Sequence, residues 1–236
     1  MCTVTYLPLG ENDFILTSNR DEDPKRKTIS PETYSEYGVN LTYPKDALAG
    51  GTWIGLSEKN RLICLLNGGF VKHEREDVYK MSRGVIVKKL LIVDDVVKEI
   101  ERFNFKGVEP FTIVLVDWNE ALVAYELVWD GQEKYFTKLS QEPKIWSSST
   151  LYTQEVKELR KTWFANWLKK NQKFTQPNII HFHKDESKGT KETSLKMKRA
   201  KVQTVSITSV QKIATKVTMN YLDLQAKEAL TESKSY

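Results

Sequence analysis

Alternation of polar and apolar positions opens the chain. Thr3-Val4-Thr5-Tyr6-Leu7 and, more loosely, Phe14-Ile15-Leu16-Thr17-Ser18 flank the turn cluster Gly10-Glu11-Asn12-Asp13, which predicts a hairpin. Residues 21–46 are polar and hold three of the seven prolines, which predicts a long surface loop. Thr52–Leu56 and Arg61–Leu66 predict a second hairpin around Ser57-Glu58-Lys59-Asn60. The period then lengthens. Val96, Val97, Ile100 and Phe103 fall at helical spacing after a candidate cap, Asp94, and Val85–Ile92 reads as a further helix. Phe111–Trp118 and Ala121–Trp129, joined at Asn119-Glu120, predict a third hairpin, followed by a strand at 135–139. Val156, Leu159, Trp163, Trp167 and Leu168 form a helical stripe. His181-Phe182-His183 reads as strand, and the last strands fall at 202–210 and 212–222.

Tight turns between consecutive strands make antiparallel sheets, and helices must then cover their outer faces. The predicted fold class is a layered α+β domain spanning 1–236, with no linker to divide it.

Composition narrows the class. Hydrophobic residues at 40% and aromatics at 11% of 236 residues exclude intrinsic disorder. No apolar run approaches the roughly 20 residues of a bilayer span. MCTVTYLPLGEND does not read as a secretory signal, and two cysteines make no disulfide framework, so a cytoplasmic location is expected. Residues 184–201 carry seven Lys/Arg against three Asp/Glu, most of the net charge of +5. A basic patch confined to one Lys-, Ser- and Thr-rich stretch predicts a solvated flexible loop and no nucleic-acid partner.

Candidate chemistry gathers at the start. Cys2 follows an initiator methionine that is removed before small residues, which leaves an amine and a thiol on one residue. The thiol is a nucleophile, and the amine, with a pKa near 7.7–8.0, can take its proton. If the first hairpin turns about residue 11, partners sum to about 22 and Cys2 faces Arg20, flanked by Asn19 and Asp21. A carboxylate there would hold the amine, and a guanidinium would favour thiolate. Leu65-Leu66-Asn67-Gly68-Gly69 ends an apolar strand in an amide followed by glycines, a candidate oxyanion site.

Met1-Cys2, Asn19-Arg20-Asp21-Glu22, Gly50-Gly51-Thr52-Trp53-Ile54-Gly55-Leu56 and Asn67, in this order and spacing, resemble the NRDE protein family, also called the transport and Golgi organisation protein 2 family. Ser82-Arg83-Gly84 fits it too. The resemblance implies a four-layer αββα sandwich of two antiparallel sheets, the N-terminal-nucleophile hydrolase-like fold. It also implies similarity to the choloylglycine and penicillin acylase group, which cleaves linear amides. Carried over by position, Cys2 is nucleophile and base, Asp21 binds the amine, Asn67 serves the oxyanion, and Arg20 belongs to the signature. Asn19, Trp53, Gly68 and Ser148 are candidate substrate contacts. Ser148 stands where amidases of this type place an asparagine, and a hydroxyl offers fewer donors than an amide.

Two functions therefore stay open. One is an amidohydrolase acting on a carbon–nitrogen bond in a small acyl conjugate. The other, favoured by Ser148, is a non-catalytic carrier of a hydrophobic ligand, haem or an acyl chain, in keeping with the family's links to lipid and haem handling. His181 and His183 lack a third ligand nearby in sequence, so no metal site is predicted. Cys64 reads as a buried structural thiol. Beyond a possible haem, no cofactor is implied. The sequence does not set the oligomeric state.

Overall fold

The computed structural model describes residues 3–226 and 228–235. The described residues form thirteen strands and four helices, grouped in two compact units: residues up to 25 with 141 onward, and residues 26–140.

The first unit is built on a six-stranded sheet of order β10-β1-β2-β11-β12-β13. Its strands are β1 (Thr3–Leu9), β2 (Asp13–Glu22), β10 (Lys144–Ser147), β11 (Gln203–Ile213), β12 (Lys216–Asp223) and β13 (Glu228–Ser235), all pairing antiparallel. Helices α3 (Gln154–Lys170) and α4 (Gln176–His183) lie on one face of this sheet. Leu7 and Ile15 there meet Phe164, Ile179, Phe182 and Leu195 in an apolar cluster.

The second unit holds a seven-stranded sheet in chain order: β3 (Thr28–Glu36), β4 (Val39–Asp46), β5 (Ile54–Ser57), β6 (Arg61–Asn67), β7 (Phe111–Asp117), β8 (Val123–Trp129) and β9 (Lys134–Lys138). Helix α1 (Arg83–Ile92) packs across β4, β5 and β6, with α2 (Val96–Arg102) against α1. Ile86, Val87, Leu90 and Leu91 bury against Leu41, Ile63 and Ile113. A Cβ on Gly84 would sit 2.9 Å from the Thr52 carbonyl oxygen, and one on Gly51 would sit 3.0 Å from Gly84 backbone. The two glycine-bearing motifs thus meet backbone to backbone, which seats α1 on the segment leading into β5.

The three predicted hairpins are present. The loop expected at 21–46 is instead the end of β2 and a β3–β4 hairpin. Tyr37 and Gly38 both take positive φ (53° and 80°), the turn geometry whose twist matches paired strands. Pro31 falls within a register shift of β3, the sheet's edge strand, where proline costs no ladder bond. Strands β10 and β13 were not expected. Residues 181–183 are the last turn of α4, not a strand. Thr175 caps that helix and Pro177 lies in its first turn.

The cap of α2 is Asp95, whose carboxylate accepts from the Lys98 backbone N–H at 2.9 Å, while Asp94 pairs with Lys59. Asp95→Ala should therefore cost about 1 kcal/mol of stability, and Asp94→Ala should leave the urea midpoint unmoved. The reverse ranking would return the cap to Asp94.

Candidate active site

The β1–β2 ladder runs from Thr3↔Asn19 to Leu9↔Asp13, every pair summing to 22. The register expected from the turn is thus present as far as Thr3. Cys2 lies outside the described residues.

Alternation sorts β2 into two faces. Ile15 joins the cluster beneath the helices, so Thr17, Asn19 and Asp21 share the helix-covered face. Arg20 is 2% exposed and shares the opposite face with Ser18 and Leu16. On the helix side a polar layer replaces the apolar one toward the end of β2. Asp21, 3% exposed, accepts a hydrogen bond from the Tyr152 hydroxyl at 2.7 Å and from the Thr204 hydroxyl at 2.6 Å. The bulge between Thr204 and Ser206 in β11 falls beside Asp21 and Arg20. Bulges re-aim side chains at strand ends.

The Asn19 amide is committed inward. Its nitrogen donates to the carbonyls of His183 (3.1 Å) and Leu195 (2.8 Å), and its oxygen accepts from His183 Nδ1 at 2.6 Å. Because that oxygen can only accept, Nδ1 carries the proton, and Nε2 accepts from the Thr5 hydroxyl at 2.8 Å. Burial, with the Arg160 charge adding to it, pushes the His183 pKa down to about 3. The ring is neutral. Its two engaged nitrogens offer no lone pair to a metal or haem, and on α4 His181 points elsewhere, to solvent. Among the described residues no group of three His, Cys, Asp or Glu is placed to hold a metal ion.

Arg160 is fully buried. Its Nη1 donates to the Thr3 hydroxyl at 2.6 Å, Nε and Nη2 to the Thr193 carbonyl at 3.2 and 3.0 Å, and Nη2 also to the Ser194 carbonyl. The guanidinium lies 3.7 Å from the centroid of the Tyr152 ring, the same tyrosine that holds Asp21. Among the described residues no carboxylate forms an ion pair with it. Charge-assisted bonds of about 1.5–3 kcal/mol each, with the cation–π contact, offset a desolvation cost of several kcal/mol.

Residues 184–201 supply these carbonyls, so the segment is not the flexible loop expected. Ser194, Leu195 and Met197 are buried, and Lys188 and Lys196 pair with Asp185 and Glu186. Ser148 directly follows Ser147, the β10 partner of Thr3. It is 1% exposed and shares a 2.9 Å hydrogen bond with the Thr150 hydroxyl.

The remaining candidates belong to the second unit. Asn67 ends β6, facing Phe111 of β7. Gly68, at φ 87°, donates its N–H to the Pro110 carbonyl (2.9 Å) and accepts from the Thr112 hydroxyl (3.0 Å). The Gly68 N–H is therefore already engaged within the turn. Trp53 is 5% exposed, and its carbonyl accepts from Leu65 N–H. Cys64 is fully buried in β6.

A model of the family Transport and Golgi organisation 2 matches residues 1–227. The chain belongs to this family. Among solved structures, a variant of conjugated bile acid hydrolase from Clostridium perfringens is 9% identical, with a TM-score of 0.55 over 100% of this chain and 96% of that one. The N-acylethanolamine-hydrolyzing acid amidase ortholog of Caenorhabditis elegans is 14% identical, with a TM-score of 0.60 over 88% and 92%. Penicillin V acylase from Agrobacterium tumefaciens is 10% identical, with a TM-score of 0.56 over 98% and 85%. No curated protein sequence matches the chain. At these identities the likeness shows the fold alone, an α+β fold of two antiparallel sheets with helices, shared with N-terminal-nucleophile hydrolase-like enzymes, as expected from sequence. No helix among the described residues is long and apolar enough to cross a membrane.

Tyr152, Arg160, His183 and Thr204 were not foreseen as site residues of this Transport and Golgi organisation 2 family member. Arg160 left one legible trace, a charge four residues after Val156 on the apolar stripe of α3. For His183, the folded pKa of about 3 lies below the unfolded value of about 6.5. Its contribution is complete above pH 6.5 and is lost as pH falls toward 3, because the unfolded chain takes the proton first. Between pH 7 and pH 5 the wild type should lose roughly 2 kcal/mol more stability than His183→Asn. Equal pH slopes in urea unfolding would show that the buried ring does not stay neutral.

Proposed function

We propose that the protein is an N-terminal-cysteine amidohydrolase that cleaves a non-peptide, linear amide bond in a small acyl conjugate. The observation that carries this reading is the buried Asp21 carboxylate. It is fixed by two hydroxyls at the end of the strand paired with the N-terminal strand. A carboxylate there has a task if residue 2 bears a free amine. The fold shared with a bile acid hydrolase, an N-acylethanolamine-hydrolyzing amidase and a penicillin V acylase supports the substrate class.

In this mechanism the Cys2 thiol gives its proton to its own amine and attacks the amide carbonyl carbon. Asp21 holds the amine in place, and the family resemblance gives the oxyanion to the Asn67 amide. The C–N bond breaks as the ammonium returns the proton to the departing nitrogen, leaving an acyl thioester on Cys2. Water, deprotonated by the same amine, then adds to the thioester carbonyl, the C–S bond breaks, the thiolate takes the proton back from the ammonium, and the carboxylic acid leaves. Arg20 supports the thiolate, and Asn19 acts through His183 rather than by touching substrate.

A second reading rests on Ser148. Its hydroxyl bonds to Thr150, where an amidase of this group has an amide. On that reading the same fold carries an acyl chain or haem without turnover, and a haem would bind without His183.

The test is hydrolysis of a panel of N-acyl amides by protein with its native N-terminus. Cys2→Ala should lower turnover by at least a thousandfold, and Asp21→Asn by a hundredfold, with the fold retained by circular dichroism. Full turnover by Cys2→Ala would overturn the enzyme reading. Stoichiometric ligand binding without turnover would favour the carrier.

A further inference from the structure

Two features of the helix-covered face lie outside the reaction above. Arg160 is a fully buried cation paired with no carboxylate among the described residues, and Tyr152 has its ring under that cation while its hydroxyl holds Asp21. The other end of the guanidinium holds the Thr3 hydroxyl. Thr3 is the covalent neighbour of residue 2, and Asp21 is the carboxylate assigned to the residue-2 amine. One rigid planar group therefore contacts Thr3 directly and Asp21 through Tyr152.

We propose that Arg160, with Tyr152, is a positioning residue that fixes Thr3, the chain neighbour of the candidate nucleophile, and the Asp21 carboxylate relative to each other. The guanidinium suits this task because its donors diverge in one plane. Nη1 is spent on the N-terminal strand, Nε and Nη2 on the Thr193 and Ser194 carbonyls, and the π face on Tyr152. The Thr190–Ser194 turn, closed by bonds from Thr193 and Ser194 N–H to the Thr190 carbonyl, aims the two carbonyls at it. A lysine ammonium has its three donors on one atom and no flat face to lie over the Tyr152 ring. The ordered middle of residues 184–201 thus serves the site.

The proposal rests on the amidohydrolase reading, and its test separates the two. Protein with its native N-terminus is labelled with iodoacetamide across pH 5–9, and labels on Cys2 and Cys64 are counted by intact mass and peptide mapping. In the wild type Cys2 should label rapidly, with a midpoint below that of an ordinary thiol. Tyr152→Phe keeps the ring beneath Arg160 and removes the bond to Asp21. Thr3→Val removes only the Arg160 contact. Each should slow Cys2 labelling at pH 7 several-fold and raise its pH midpoint, with the thermal midpoint within a few degrees of wild type. Arg160→Met should slow it at least tenfold, and Arg160→Lys should rescue it only in part. If Arg160→Met does not fold, the Tyr152 and Thr3 variants decide. Wild-type rates and midpoints in both would overturn the positioning role and leave the nucleophile standing. A wild-type Cys2 no faster than a free thiol would overturn both.

Discussion

A guanidinium buried with no carboxylate partner among the described residues is the constraint on which much of the first unit depends. Left unsatisfied, such a charge would cost more than a domain's margin of stability allows. Arg160 is tolerated because four hydrogen bonds and an aromatic face surround it. Those partners come from the first strand, from the segment before β11 and from the turn before α3. Holding the cation therefore fixes the ends of three distant pieces of chain. Asp21 and the neutral His183 belong to the same layer, one step away on either side.

The polar layer also explains why the NRDE signature has its form. Asn19 is spent on His183 and Leu195, which locks α4 and the 184–201 segment onto β2. Arg20 faces the other way, and Asp21 meets Tyr152 and Thr204. Adjacent residues on one strand thus do different work, because alternation sends them to opposite faces. In the second unit the Gly51–Gly84 approach and the Pro110 and Thr112 bonds to Gly68 do a comparable job for the Asn67 turn.

Strands with one strongly buried face were legible in the sequence, including β1, β2, β6, β7 and β8, and the first turn even specified its register. The elements that escaped lie mostly at sheet edges. β3, β10 and β13 are edge strands, where pairing with one neighbour, not apolar period, decides the conformation. His181-Phe182-His183 has the alternation of a strand, and the cap Thr175 with Pro177 overrides it. Asp21 and Asn67 stood out in the sequence as polar side chains at strand ends. Tyr152, Arg160, His183 and Thr204 did not, because their partners lie more than 130 residues away and no local pattern records such a contact.

The central claim is that residue 2 is the amino-terminal nucleophile of an amide-cleaving site. Its most direct test is the intact mass of native protein, quenched in acid within a second of mixing with a long-chain N-acyl amide. The expected result is a chain lacking Met1 that carries one acyl group as a thioester on Cys2, absent from Cys2→Ala. A folded chain that retains Met1, or one that never carries the acyl group while releasing the free acid, would contradict it.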